Sequence, residues 1–418
     1  MKVLTNIITI LRHRWRTLTM LAAVFFIIAR YRYVLLAPAL FAEDGIVFTK
    51  AAYDHGIFSL FHPYAGYFHL LSRSISYLAV NVLPINILPM TFLLATVAIV
   101  FFVFYEYLMA SMLSPIVRIA VVLSLAILSG KGEDFLNLTN SHWFTSALYP
   151  LILLEPALKQ KDRAISRSLL LFVIGMNDPL ILVAFPFFAY RAWNNRGNRF
   201  EDLLFFVALA VFVAQFCCVI VSPPPHWQHF EPCPKNELVK YWFLAGVAQP
   251  IAIFVLGECF AKSALHSLPV LCCGVTVITL FVAICSFAVY NASALIKRVV
   301  VLFLFLSFFF YTSSIYRNIL SPQVIVANGL SRYLFLPQVF LCAVVAACFS
   351  DRRSFLGRAC CACMMFFVFA HSLWPFVSPV RFCADWGACM AELESNGSVT
   401  IPIAPDDSWT LHIESRGP

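Results

Sequence analysis

Long apolar runs recur along this chain, and they constrain its fold more than any other feature. The runs are roughly 20 residues long, the length of helix that crosses about 30 Å of hydrocarbon, and short charged or proline-rich segments separate them. Of 418 residues, 61% are hydrophobic and 12% are charged, and the mean hydropathy is +0.84. Soluble domains are about half apolar and about one-quarter charged. Because the runs lack the alternation of a barrel, the sequence predicts an all-α, polytopic transmembrane helical bundle.

Basic residues in the short breaks predict how the spans are oriented. Lys and Arg collect on the cytoplasmic side of membrane proteins, which places the N-terminus and the clusters at 159–167, 191–199 and 352–358 in the cytoplasm. The first run has a basic start but no clear small-residue cleavage site, so we interpret it as an uncleaved span. Nine spans are predicted, over residues 17–36, 87–109, 116–129, 142–158, 203–221, 269–290, 299–316, 333–349 and 355–373.

Two further apolar segments decide the number of spans. Residues 169–190 have basic clusters on both sides, which predicts a re-entrant hairpin that turns at Asn177, Asp178 and Pro179 and returns to the cytoplasmic side. Residues 239–260 are predicted to make no net crossing. If both segments cross once, the total becomes eleven and the 191–199 cluster is external, against the charge rule. Either number leaves the N-terminus cytoplasmic and the C-terminus external.

The chain is therefore expected to form one transmembrane domain over residues 1–373, with an amphipathic first external loop at 38–86, and an external tail over 374–418. No ATP-type phosphate loop, GxGxxG motif or Cys/His set with zinc spacing is present, which argues against soluble-enzyme chemistry. The net charge of +8 resides in short loops, where topology explains it. Nucleic-acid binding is therefore not expected.

Two adjacent carboxylates, Glu43 and Asp44, lie just beyond the external end of the first span. An acid at this position costs desolvation free energy unless it is solvated or used. One interpretation is that Asp44 is the N-cap of a helix over residues 45–55. The other, which is compatible with the first, is a general base that deprotonates an acceptor hydroxyl as it attacks.

Cations form a second group of candidates. Helical spacing puts His69 and Arg73 on one face. The guanidinium there could clamp a substrate phosphate bidentately, or it could contact a lipid head group nonspecifically. Arg332 and Tyr333 open a later span from the external side, although a topological anchor would look the same.

A polar stretch between residues 131 and 143 forms the third group. It combines acids, amides and an interfacial aromatic residue at the external ends of two spans. Amides and Trp suit sugar binding, and they also suit an ordinary loop at the membrane interface. The candidate binding residues in this stretch are Lys131, Asn137, Asn140, His142 and Trp143.

Together these elements resemble the integral-membrane GT-C glycosyltransferases that use polyprenyl-phosphate sugars, especially bacterial and phage-encoded glucosyltransferases that modify O-antigen in lipopolysaccharide. The resemblance is architectural. The chain lacks the long external-loop motifs of oligosaccharyltransferases, and in place of the soluble C-terminal domain of larger relatives it has only a tail. The residues that carry it are Glu43, Asp44 and Gly45, residues 66–73, residues 137–143, the turn at 177–179, and Arg332 with Tyr333.

The resemblance implies a hexosyltransferase of the bacterial inner membrane. Its donor would be a polyprenyl-phosphate sugar, with glucose expected, and its acceptor a surface glycan such as O-antigen on the external face. Asp44 would be the base, with Glu43 as neighbour or substitute, and the sugar carbon would be inverted. Arg73, Lys131 or Arg332 would stabilise the leaving phosphate. No cofactor is required by this scheme, and a divalent metal held by Glu43 and Asp44 stays open.

Two other functions remain open from sequence alone. A transporter or flippase for a lipid-linked sugar would also need broken helices and polar residues in the membrane, but its site should lie near mid-membrane, whereas most acids and amides here lie at one face. A non-catalytic assembly subunit would tolerate any change at Asp44. These alternatives differ from a transferase in what their loss does to surface polysaccharide.

Overall fold

The structure is a computed structural model of the 418-residue chain. It describes residues 2–128, 136–222, 292–316, 331–350, 385–403 and 409–414, with a few single residues between 254 and 290 and between 359 and 368. Within the helices at 2–13, 311–316 and 331–334 it describes the backbone alone. The chain divides into two compact units. The first contains Met1–Arg30, Phe104–Lys131 and Gln228–Val377, and the second contains Tyr31–Val103, Gly132–Trp227 and Ser378–Pro418.

The described residues are mostly helical. The α-helices are α1 (Lys2–Leu36), α2 (Lys50–His55), α3 (Leu70–Asn81), α4 (Leu88–Met109), α5 (Pro115–Ile127), α6 (Ser141–Ser146), α7 (Tyr149–Leu154), α8 (Lys161–Gly175), α9 (Ile181–Asn194), α10 (Arg199–Val221), α11 (Ala294–Tyr316), α12 (Ser331–Ser350) and α13 (Trp386–Asn396). A π-helical turn covers Asp44–Thr49, and 3₁₀ turns cover Gly56–Phe61 and Ile85–Ile87. Two strands, β1 (Ser398–Pro402) and β2 (Thr410–Glu414), pair antiparallel.

Three helical segments of the described chain are long and apolar enough to cross a membrane: Arg14–Leu36, Ile85–Met109 and Arg199–Val221. Pro115–Ile127 and Phe335–Ser350 are apolar but shorter. These helices support a membrane protein with several spans. The spans expected at 269–290 and 355–373, and the segment at 239–260, lie largely outside the described residues, so the total of nine to eleven remains a prediction.

The span predicted at 142–158 is not a single uninterrupted helix. The structure has two six-residue helices there, α6 and α7, with a break at Ala147 and Leu148, and whether this segment crosses the membrane stays a prediction. Pro150 explains the break, because proline cannot donate an i→i−4 hydrogen bond and its ring crowds the carbonyl of residue 146.

In the first unit, α12 packs against both α5 and α11. The α11–α12 contact is aromatic, with the Phe340 ring lying 5.3 Å from Phe303 and 5.7 Å from Phe310 between centroids. Ser307 Oγ donates to the Pro337 carbonyl at 3.1 Å, so its buried hydroxyl is satisfied. This hydroxyl on an apolar helix is thus bonded to the backbone of the neighbouring helix, as a water-poor environment favours.

In the second unit, α8 and α9 are joined by a tight turn and both pack against α10. Their basic ends meet at one place: the Glu155 carboxylate accepts from Arg163 and Arg167, and Arg191 donates to the Glu155 carbonyl at 2.8 Å. Arg191 also forms a bidentate pair with Glu201, both bonds measuring 2.7 Å. The start of α8 and the end of α9 therefore lie close together. How this hairpin is placed in the membrane remains a prediction.

The hairpin predicts a specific labelling result. Cysteines placed singly at Lys161 and Arg196, on the two sides of the hairpin, should both resist an impermeant thiol reagent added from outside and react after the membrane is permeabilised. The expectation follows because basic flanks stay in the cytoplasm. Labelling of only one of the two positions from outside would instead mean that residues 169–190 cross the membrane once.

The segment expected to be an external tail is folded. Helix α13 is capped by the Asp385 side chain, which accepts from the Ala388 amide, and ends at Gly397 with φ +70°. The β1–β2 hairpin follows, and the strands are an exception to the all-α prediction. Apolar side chains of α13 and of both strands enter one core with residues of the loop at 38–86, of α4 and with Leu138. Its members are Leu40, Ala52, Ala79, Val80, Leu88, Phe92, Leu138, Met390, Leu393, Val399, Ile401, Ile403, Leu411 and Ile413.

Candidate functional site

The loop at 38–86 bends sharply just before the two acids. Ala42 has φ +31°, in the region that L residues avoid, and the π-helical turn begins two residues later at Asp44. The helix expected over 45–55 is thus built from a π-helical turn followed by α2. Strained backbone and π-helical turns concentrate at functional sites.

Asp44 does not cap its own helix, so the N-cap interpretation is wrong. The turn that it opens has no side-chain cap, and the carboxylate points to a segment 94 residues away. Asp44 Oδ2 accepts from the Leu138 amide at 2.9 Å, and Oδ1 accepts from the Thr139 amide at 2.7 Å and the Thr139 hydroxyl at 2.5 Å. The side chain is only 2% exposed. Asp44 therefore joins the loop at 38–86 to residues 138–139.

Burial raises the pKa of Asp44 from 3.8 to about 7, with a smaller rise from the neighbouring Glu43 charge, against the opposing effect of the three hydrogen bonds. Each carboxylate oxygen can accept two hydrogen bonds. Oδ1 has two partners and Oδ2 has one, so Oδ2 keeps room for a further donor. Glu43 is partly exposed. Asp44 is thus a carboxyl that titrates near neutrality and can still take a proton.

His69 and Arg73 lie at the start of α3, on the face expected from their spacing. A short hairpin turn precedes them, in which Tyr64 and Tyr67 exchange backbone hydrogen bonds of 3.0 and 3.1 Å. Ala65 and Gly66 at its tip both have positive φ, as a two-residue type I′ turn requires. The turn therefore sets the point at which the chain enters α3.

Arg73 is buried without a bonding partner for much of its head group. The residue is 2% exposed, and its Nε and Nη1 atoms have no hydrogen-bond partner. No carboxylate in the described part of the chain forms an ion pair with it. Its guanidinium carbon lies 5.2 Å from the Phe48 ring centroid, a cation–π distance, and burial lowers its pKa to about 10. A buried cation of this kind attracts an anion.

His69 is held neutral within an aromatic cluster. Its ring lies 4.1 Å from Tyr67, 5.2 Å from Phe48 and 6.1 Å from His142, between centroids. Burial lowers its pKa well below the usual value, His142 and Arg73 add to the effect, and the Tyr64 carbonyl opposes it without forming a hydrogen bond of acceptable geometry. Both ring nitrogens lack a partner among the described residues. His69 is therefore neutral, and the positive charge in this cluster is carried by Arg73.

A third polar group extends the same face of α3. Ser76, three residues after Arg73, is fully buried and its hydroxyl has no partner within the part of the chain that the structure describes. His69, Arg73 and Ser76 consequently form a stripe of buried, unsatisfied polar atoms, which we call the α3 polar stripe. Leaving such atoms unpaired costs about 1–3 kcal/mol each, and more for a charged group. Several on one face indicate a place for a polar ligand.

Ser72 connects this stripe to two other segments. Its hydroxyl donates to the Leu138 carbonyl at 3.2 Å, and its amide donates to Asn177 Oδ1 at 3.3 Å. Asn177 Nδ2 is buried without a hydrogen-bond partner. The next residue, Asp178, accepts from Ser146 and from the Leu180 amide at 2.8 Å. The turn between α8 and α9 therefore lies against the start of α3 and residue 138.

The polar residues near Thr139 are buried. Asn137 Oδ1 accepts from the Asn140 amide at 2.7 Å, and His142 Nδ1 lies 2.6 Å from the Thr139 carbonyl. Trp143 lies 4.6 Å from the His142 ring between centroids and is 5% exposed. These four candidates thus lie in the turn around Thr139, which binds the Asp44 carboxylate. Their contacts help to fix that turn.

Sequence reasoning missed several residues of the site. Phe48, Ser72, Ser76 and Thr139 were not among the candidates, although Phe48 and Ser76 continue the helical spacing of Asp44 and Arg73 and could have been found by extending that pattern. Gln215 was also missed: it accepts from the Phe68 amide at 3.0 Å and donates to the Gly175 carbonyl at 2.8 Å. A lone amide inside the apolar α10 was its signal.

For three candidates the structure describes no side chain. Lys131 is outside the described residues, and Arg332 and Tyr333 begin α12 in the first unit with only their backbone described. Their proposed roles stay predictions. The described residues contain no group of three His, Cys, Asp or Glu side chains that could hold a metal ion, and metal dependence stays open.

The fold and site define a mostly helical protein with candidate membrane spans and a buried polar site in its second unit. Within this site, Asp44 accepts from the Leu138 amide and Ser72 of α3 donates to the Leu138 carbonyl, so residue 138 connects Asp44 to the helix that carries the α3 polar stripe. Comparison with protein-family models, with curated proteins and with solved structures found no match.

Proposed function

We propose that this protein is a membrane glycosyltransferase of the GT-C type that transfers a hexose, with glucose expected, from a polyprenyl-phosphate donor to a surface glycan such as O-antigen. The transfer takes place at the external face of the bacterial inner membrane. The resemblance described above supplies the reaction class. The arrangement around Asp44 and Arg73 supplies the physical support.

The observation that carries the proposal is the buried, unbonded guanidinium of Arg73. A cation without an ion-pair partner is expensive to bury unless a ligand completes its bonding. Its planar fork matches two oxygens of a phosphate. The neutral His69 and the Ser76 hydroxyl add hydrogen-bonding capacity on the same face. This stripe fits the phosphate of a lipid-linked sugar.

In the proposed reaction, Asp44 receives the proton of the acceptor hydroxyl while the hydroxyl oxygen attacks the anomeric carbon of the sugar. The bond between that carbon and the phosphate oxygen breaks, and its electron pair leaves with the polyprenyl phosphate. Arg73 stabilises the charge that develops on the phosphate. A base titrating near neutrality is matched to proton transfer at physiological pH, and attack opposite the leaving group inverts the carbon.

The proposal is tested on surface polysaccharide from cells that express the protein and from otherwise identical cells that lack it. Mass and linkage analysis should show an added hexose that depends on the protein, with the length of the polysaccharide unchanged. Complete loss of long glycan in cells without the protein would favour a flippase. Identical glycans in both strains, at verified expression, would contradict both activities in that host.

A further inference from the structure

The end of the C-terminal hairpin touches the chain on both sides of the two acids. On the N-terminal side, Trp409 packs against Phe41 and Ala42, the residue with φ +31°. On the C-terminal side, Ile403 lies so close to Gly45 that a Cβ built on the glycine would be 2.5 Å from Ile403 Cδ1. Glu43 and Asp44 are the only residues between these two contacts.

Ile403 and Trp409 are bonded to each other. The Ile403 amide donates to the Trp409 carbonyl at 2.9 Å, which extends the register of the β1–β2 pairing by one step. Ile403 is 1% exposed and belongs to the apolar core that the hairpin shares with the first external loop. Two further bonds fix the segment there: Tyr53 donates to the Glu414 carbonyl, and Trp386 Nε1 donates to the Ile85 carbonyl at 3.1 Å.

We infer that the C-terminal residues 385–403 and 409–414 form a positioning element for Asp44, and that Ile403 and Trp409 are its positioning residues. The inference rests on the proposed function for the activity that it serves. Trp409 and Ile403 hold the strained bend and the first turn of the π-helix, so that the carboxylate reaches the amides of Leu138 and Thr139. Gly45 allows this close approach because it has no Cβ, and a Cβ there would displace Ile403 Cδ1.

The contact can be broken and restored with two small changes. Gly45→Ala adds one methyl group that collides with Ile403 Cδ1. Ile403→Val deletes that atom, and the remaining Ile403 atoms near the new Cβ are at ordinary van der Waals distances of 3.7 and 3.8 Å. The matched control is Ile401→Val, which makes the same deletion at an equally buried position of the hairpin outside this contact.

Two measurements on the full-length protein report the position of Asp44. The first is hydrogen exchange of the Leu138 and Thr139 amides, which the carboxylate protects, and which can be measured whether or not the protein transfers sugar. Gly45→Ala should speed this exchange at least about tenfold. Adding Ile403→Val should return it to near the wild-type rate, whereas adding Ile401→Val should not, because coupling is confined to groups in contact.

The second measurement is sugar transfer by the same set of proteins. Gly45→Ala should lower kcat about tenfold or more with little change in the KM for donor, and Ile403→Val should restore kcat. Normal exchange in Gly45→Ala, or failure of Ile403→Val to rescue the exchange, would overturn the positioning role. The two proposals can fail separately. If the wild-type protein transfers no sugar but the variants show the expected changes in amide exchange, the proposed function is rejected and the positioning contact is supported.

Discussion

Asp44→Asn should lower sugar transfer by about two to four orders of magnitude, the loss expected when a general base is removed. The structure adds a condition to this experiment. The Asn amide group would face either the Leu138 or the Thr139 N–H, so one donor loses its acceptor, at a cost of about 1–3 kcal/mol. Protein level and thermal stability must therefore be measured beside transfer. Glu43→Gln is the parallel control, because a large loss there would move the base by one residue.

The pH dependence of transfer separates a base from a structural carboxyl. Burial holds the pKa of Asp44 at about 7, so wild-type transfer should fall as pH drops through about 7. The effect of Asp44 on stability has the opposite pH dependence. Its pKa is 3.8 in the unfolded state and about 7 in the folded state, so the folded protein binds the proton more tightly. The contribution of Asp44 to the free energy of unfolding therefore decreases as the pH rises from about 3.8 to about 7. Loss of transfer in acid is therefore not loss of fold by this group.

Thr139→Val tests the same assignment without touching the carboxyl. The Thr139 hydroxyl lowers the pKa of Asp44 by donating to Oδ1 at 2.5 Å, so its removal should move the acid limb of the pH profile to higher pH while transfer at alkaline pH is largely kept. An unshifted acid limb in Thr139→Val, or full transfer by the Asp44→Asn, Glu43→Gln double variant, would rule out the carboxylate mechanism.

Arg73→Met should abolish most transfer without destabilising the protein. Methionine fills a similar volume, and because Nε and Nη1 of Arg73 have no hydrogen-bond partner among the described residues, the change leaves none of their acceptors unsatisfied. Removing an unpaired buried charge should keep or raise the thermal stability. Transfer should fall about 100-fold or more, the size of effect seen when one charge-stabilising donor is lost from an active site. Arg73→Lys should not restore it fully, since a point charge cannot reproduce a two-point contact.

Arg191→Met is the matched contrast. Arg191 is also buried, but it is bonded to Glu201 and to backbone carbonyls of residues 152–156. Its replacement should leave the Glu201 carboxylate buried and unpaired and should cost about 3–5 kcal/mol of stability. Wild-type transfer by Arg73→Met at matched protein level would reject the phosphate assignment. Equal destabilisation by both changes would show that Arg73 is structural.

Local pattern was enough to predict the helical class and several of its elements. The apolar runs at 87–109 and 203–221 form α4 and α10, since length and apolarity act within one segment and need no partner. The break in residues 142–158 was missed although Pro150 was visible. The prediction relied on the hydrophobicity of that segment and ignored the proline. In the structure the helix is interrupted near Pro150, because proline cannot donate the helical hydrogen bond.

The candidate site divides in the same way. The sequence by itself determined that Asp44, His69 and Arg73 are charged or polar groups next to apolar spans, and their cost in such places made them candidates. Only the tertiary structure decided that Asp44 binds the amides of Leu138 and Thr139, that Arg73 has no ion-pair partner among the described residues, and that the C-terminal hairpin contacts the bend at Ala42 and Gly45. The physical reason is that these contacts join residues tens to hundreds of positions apart, and that a backbone amide or an absent partner leaves no side-chain signature in the sequence.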